Sequence, residues 1–155
     1  MERPRRSGRH SRVRETAERR YQAPQAAEGV GGVLLDSDVI IDILRGDSAR
    51  QAALREFERA GGKAYCCAVS WAEIFAGIRP GEEILTESFL AARGEVMIDT
   101  TTGRRAGSYL ARYARTHRLG IADALIAATA VSAGLRLWTR NRRDYPMPDL
   151  SFFQS

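Results

Sequence analysis

Short apolar runs alternate with amphipathic stretches along this chain. Val33-Leu34-Leu35 ends abruptly at Asp36, as a buried strand delivering a carboxylate to its end would read. Val39, Ile40, Ile41, Ile43 and Leu44 then cluster as on a helix that stops at Gly46. Asp47-Ser48 can cap a second helix, with Ala52, Ala53, Leu54, Phe57 and Ala60 at helical spacing and Gly61-Gly62 after it. Residues 64–69 read as a second strand, and Ser70-Trp71-Ala72-Glu73 opens a helix running through Ile78 until Arg79-Pro80-Gly81 breaks it. Residues 82–92 are amphipathic and helical, 96–98 form a third strand, and 102–118 a helix with Leu110, Tyr113 and Ala114 inward and several Arg outward. From Gly120 to Ala133 the chain is almost entirely apolar, the mark of a buried helix. Residues 135–139 make a fourth strand, a polar turn follows at 140–144, and 150–153 add a last strand. Strands alternating with helices predict a parallel sheet covered on both faces.

The chain has 155 residues, 44% of them hydrophobic and 28% charged, which suits one globular domain with a real core. No apolar run approaches the roughly 20 residues of a membrane span, and the basic N-terminus lacks the apolar segment of a secretory signal. Net charge is +5, but residues 1–30 hold eight Arg against four Glu, while residues 31–155 hold 16 basic and 15 acidic side chains. Basicity is therefore mostly a property of the N-terminal stretch. Residues 1–32 read as a disordered tail ahead of a domain spanning 33–155. They also admit a basic arm that attracts RNA by counterion release, or a native start at Val33. Peptides from 1–32 in the native protein would exclude that last reading. Cys66 and Cys67 are strand neighbours that point apart and cannot easily bridge, so they read as buried free thiols, in keeping with a reducing cytoplasm. His10 and His117 show no ligand spacing.

In a parallel sheet of this kind, functional groups gather beyond the carboxyl ends of the strands where strand order reverses. Asp36 ends the first strand, Glu73 follows the second, Asp123 opens the buried helix, and Asn141 and Asp144 follow the fourth strand. Each has a plain structural role to set against a functional one. Asp36 or Ser37 can cap a helix, Ser70-x-x-Glu73 fits a capping box, Asp123 suits a helix start, and Asn141 and Asp144 are ordinary turn residues. Several elements placing an acid or amide at the same edge favour function. Close carboxylates repel unless a cation joins them, Mg²⁺ takes a few carboxylates and keeps several waters, and an activated water can then attack a phosphodiester.

Four segments carry a resemblance. They are Leu35-Asp36-Ser37-Asp38-Val39-Ile40-Ile41-Asp42-Ile43-Leu44-Arg45-Gly46, Ser70-x-x-Glu73-Ile74-x-x-Gly77, Ile121-Ala122-Asp123-Ala124-Leu125-Ile126-Ala127-Ala128 and Leu137-Trp138-Thr139-Arg140-Asn141-Arg142-Arg143-Asp144-Tyr145. In this order the chain resembles PIN-domain ribonucleases of the VapC toxin type. The resemblance implies a three-layer α/β/α fold on a parallel sheet and Mg²⁺- or Mn²⁺-dependent cleavage of RNA, typically tRNA or ribosomal RNA. It implies Asp36 and Asp123 as principal metal ligands, Glu73 as a third acid, and Asn141 or Asp144 completing the site. It also implies a VapB-type antitoxin partner and a homodimer in the cytoplasm. Arg140, Arg142 and Arg143 lie beside the last segment as candidate phosphate contacts, or as a solvated basic loop. Asp38 and Asp42 read as peripheral. Alternatives are an inactive PIN-like scaffold for RNA or antitoxin, an Asp-x-Asp phosphatase, and a receiver-type signalling domain. The last two need a lysine near the phosphoryl group, and the one lysine, Lys63, is badly placed.

Overall fold

The computed structural model describes residues 31–154, so the reading of the first 30 residues as a tail lies outside them. Strand β1 (Gly32–Leu35) lies centrally, paired in parallel with β2 (Lys63–Cys67) on one side and β4 (Arg136–Trp138) on the other. β3 (Gly94–Val96) extends the sheet beyond β2, giving the order β3-β2-β1-β4. The chain moves outward from β1 through β2 to β3, then returns to the far side of β1, so strand order reverses between β1 and β4.

Alternation along the strands splits the core in two. Val33, Leu35, Cys66 and Trp138 face α1 (Ser37–Leu44), α2 (Ser48–Arg59), α3 (Ala68–Ala76) and α4 (Glu83–Ala91) in a front cluster. Leu34, Cys67 and Leu137 face α5 (Thr100–His117) and α6 (Ile121–Ser132) in a back cluster. The result is the expected three-layer α/β/α sandwich. The Tyr65 ring fills the space where a Gly94 side chain would stand, 2.4 Å from a Cβ there, and Leu135 fills the corresponding space at Gly32, 2.5 Å from a Cβ.

Several boundaries shift. β2 stops at Cys67 and α3 begins at Ala68, because Ala68 and Val69 are apolar enough to prolong a strand pattern while lying in the first turn of a buried helix. No capping box forms at Ser70, which sits inside α3 with its Oγ 3.5 Å from the carbonyl oxygen of Leu35. β3 lies two residues earlier than expected and leaves Met97 58% exposed. On α5, Ala114 is exposed, and the buried residues are Thr102, Ala106 and Tyr109. Residues 150–153 form an isolated parallel bridge, Leu137 to Phe152, rather than a strand. The Leu137 N–H donates to Ser151 O (2.8 Å) and the Phe153 N–H to Leu137 O (2.9 Å).

Candidate active site

β1 ends at Leu35 and the next residue serves two purposes. Asp36 is the N-cap of α1, accepting a 2.8 Å hydrogen bond from the Ser37 amide on Oδ1. Its other oxygen accepts 2.7 Å from the Tyr145 hydroxyl. The Asp36 N–H donates to Trp138 O at 3.0 Å, which locks the strand end to β4 where strand order reverses. Asp36 is only 7% exposed, so capping and site placement are compatible.

Glu73 comes from the second turn of α3, not the first. It is aimed by Ser37, whose hydroxyl donates to Glu73 Oε2 at 2.5 Å. Ser37 thus holds a neighbouring acid instead of capping a helix. Asp123 lies in the first turn of α6, where the Gly120 amide hydrogen-bonds its carboxylate. Tyr145 reaches across to Asp123 Oδ1 as well (3.5 Å). Asn141 donates through its side-chain amide to Asp144 Oδ2, and both stand at the cavity mouth around the 3-10 turn Arg142–Asp144. Asp36, Glu73, Asp123, Asn141 and Asp144 all line one cavity of about 340 Å³.

Three further side chains belong here. Tyr145 was quoted in the last sequence segment without a role; an aromatic closing a polar turn was the available signal. Its phenol is pushed far upward by burial and by the charge of Asp36, so it stays protonated and donates. Asp38 lines the cavity and accepts from the Arg140 amide (3.1 Å) and the Thr139 hydroxyl (3.4 Å), fastening α1 to the segment after β4. Asp42 stays outside the cavity and pairs with Arg140 (3.3 Å) and Arg50 (3.5 Å). The arginines flagged from sequence are unequal. Arg140 is engaged with Asp38 and Asp42, Arg142 donates 2.6 Å to Phe153 O, and Arg143 is exposed.

The electrostatics are strained. Burial first, then the charge of Asp36, raises the Asp123 carboxyl above its ordinary value, with Glu73 and Asp144 adding to the rise. Burial and Asp36 also raise Asp38. Among the described residues no three Asp, Glu, His or Cys side chains close into a cage for a bare ion. The acids ring a polar space instead. Oxygen donors that repel one another around a water-sized cavity suit a hydrated divalent cation. Asp36, Glu73, Asp123 and Asp144 are the residues able to hold one.

A sequence model of the PIN domain matches residues 33–148. The chain belongs to the PIN-domain family. This PIN domain is 34% identical over 119 residues to Ribonuclease VapC19 of Mycobacterium tuberculosis, covering 76% of this chain and 95% of that one. It is 39% identical over 116 residues to Ribonuclease VapC10 of the same organism, covering 74% and 86%. A toxin-antitoxin complex from Klebsiella pneumoniae contains a similar chain, with a TM-score of 0.63 at 25% identity over 76% of this chain and 94% of that one. The phosphatase and receiver readings find no support: Lys63 is the first residue of β2, at the opposite edge of the sheet from the acids. Among the described residues no helix is long and apolar enough to cross a membrane.

Proposed function

We propose that this PIN domain is a divalent-metal-dependent endoribonuclease acting as the toxin of a toxin–antitoxin pair. The observation that carries the reading is the convergence of Asp36, Glu73, Asp123 and Asp144 on one cavity where strand order reverses. The names of the similar M. tuberculosis ribonucleases support RNA as substrate. Mg²⁺ or Mn²⁺ fits the all-oxygen donor set. When bound, the ion would supply Lewis-acid charge and lower the pKa of water at the scissile phosphodiester.

The protein's own groups divide the remaining work. Asp36, at the end of β1, and Asp123, in the first turn of α6, would hold the cation. Ser37 and Tyr145 keep Glu73 and Asp36 aimed through hydrogen bonds to their carboxylates. Asp144 completes the acid set because its charge already reaches Asp123, and Asn141 orients it. Of the three arginines beside the last segment, exposed Arg143 is the one placed to contact a phosphate, since Arg140 and Arg142 are held by Asp38, Asp42 and the Phe153 carbonyl. A VapB-type antitoxin belongs to the same proposal, supported by the toxin–antitoxin complex among the structural neighbours; a homodimer, a cytoplasmic setting and tRNA or ribosomal RNA targets rest on the family resemblance of the sequence alone.

The test is cleavage of total tRNA and ribosomal RNA by the purified chain with Mg²⁺ or Mn²⁺. Asp36→Asn and Asp123→Asn should each slow it roughly a thousandfold, about 4 kcal/mol on the barrier. Equal cleavage by wild type and both variants would contradict the assignment. Expressed without an antitoxin, the wild type should arrest growth and Glu73→Gln should relieve it.

A further inference from the structure

Charge is distributed unevenly over the folded domain. Residues 100–122 carry five arginines, one histidine and no acid. The rest of residues 31–155 hold eleven basic and fifteen acidic side chains. This cationic segment is α5 and its exit. Arg105 is turned to Asp149 (3.3 Å) and Arg112 lies over the Tyr113 ring, but Arg115 and Arg118 are exposed with no ion pair among the described residues.

Arg118 is held in a costly backbone state. It is the C-cap of α5 at φ 53°, ψ 30°, and among the described residues it alone is a non-glycine with positive φ. Glycine is the usual occupant of such a position, since it escapes the Cβ clash. Leu119, 4% exposed, plugs the core immediately afterwards and fixes the direction of the turn. Two residues on, the Gly120 amide bonds the Asp123 carboxylate. Two residues span at most about 7 Å, so the Arg118 backbone lies within that distance of the Gly120 amide that holds Asp123, outside the cavity lining but on its Asp123 side, with Arg115 one turn earlier on α5.

We propose that Arg115 and Arg118 form a phosphate-binding shelf that seats the RNA backbone on the α6 side of the cavity; this rests on the ribonuclease reading of that site. An acidic metal site repels a polyanion, so RNA must be drawn in by cations placed beside the acids. On the opposite side Arg140 and Arg142 are committed to carboxylates and a carbonyl, which leaves Arg143 as the exposed cation there. Arg115 and Arg118 are uncommitted. A second copy meeting α5 to α5 would set arginine against arginine, which disfavours self-association through this face.

The test separates charge from strain. Arg118→Gly removes the guanidinium and relieves the backbone, so Tm should hold or rise. In the full-length Arg115→Ala/Arg118→Gly variant, affinity for a fluorescent mixed-sequence oligoribonucleotide, measured by anisotropy in EDTA, should fall about tenfold. The slope of log affinity against log salt should shrink by about 1.4 for two lost single-strand contacts. Arg55→Ala/Arg59→Ala on α2 removes equal charge and should bind as wild type. Overturning results are wild-type binding by the α5 variant, equal weakening by the α2 control, or a change from dimer to monomer with affinity unchanged. Cleavage with Mg²⁺ is measured separately: α5-dependent binding without any cleavage sinks the nuclease reading alone, and cleavage with α5-independent binding sinks the shelf alone.

Discussion

In front of the sheet, Ile40, Ile43, Leu54 and Phe57 fill the space with large side chains; behind it, α6 packs through Ala124, Ala127, Ala128 and Ala130. Each layer also sends acids to the same cavity, on different terms. Asp36, in front of α1, has both oxygens satisfied by the Ser37 amide and the Tyr145 hydroxyl. Asp123, from the back, carries a raised carboxyl because burial and the other acids oppose its charge. The site joins one carboxylate that the fold stabilises to another that the fold strains. A bound cation would relieve the second far more than the first.

The largest break in this comparison concerns the packing. Ile40→Ala should destabilise the front by about 3 kcal/mol through a cavity. Ala128→Leu should cost the back about 1–3 kcal/mol by overpacking. Urea unfolding would show whether the two layers fail in these opposite ways.

A sharper test sets the two acids against each other in metal-free protein. Asp36→Asn replaces an acceptor of two bonds with a group carrying one acceptor oxygen. It should lower stability by about 1–2 kcal/mol, a few degrees in Tm for a chain this size. Asp123→Asn removes an opposed charge and should raise Tm. The sign has a pH signature. Asp123 binds its proton more tightly folded than unfolded, so metal-free wild type loses stability as pH rises from the ordinary 3.8 through the raised value. The Asp123→Asn protein should show a shallower decline, with the part owed to the raised Asp38 carboxyl remaining, and added Mg²⁺ should restore the wild type more than the variant. Thermal scans across pH in EDTA would reveal it, and parallel pH curves for the two proteins would refute the strain.

The smallest effect belongs to the link between the layers. Tyr145→Phe deletes the hydroxyl that touches both Asp36 and Asp123. It should cost about 1 kcal/mol and about tenfold or less in kcat; an unchanged kcat and Tm would show the bridge to be idle.

Most of the architecture was legible in sequence because β1 and α6 are continuous apolar runs with clear stops. The β2–α3 junction was not, since a buried strand and the first turn of a buried helix look alike in a short apolar run. Ser70 and Glu73 mimic a capping box in spacing, yet helix α3 starts two residues earlier and sends Ser70 toward β1. The acids of the cavity could be nominated from their positions at element ends. Tyr145 could not, because its partner Asp36 is 109 residues away in sequence. Asp38 was hidden by its proximity to Asp36, and only the turn of Arg140 over α1 gives it a role.

The two adjacent cysteines have a practical consequence. Cys66 looks into the front layer and Cys67 into the back, 1% and 0% exposed, and burial pushes the Cys66 thiol up to about 12. Neither sulfur is within reach of a reagent while the sandwich is closed. A thiol reagent therefore meets Cys66 only when the front lifts and Cys67 only when the back lifts. Peptide mapping of the label can time the opening of each layer in the unmodified protein.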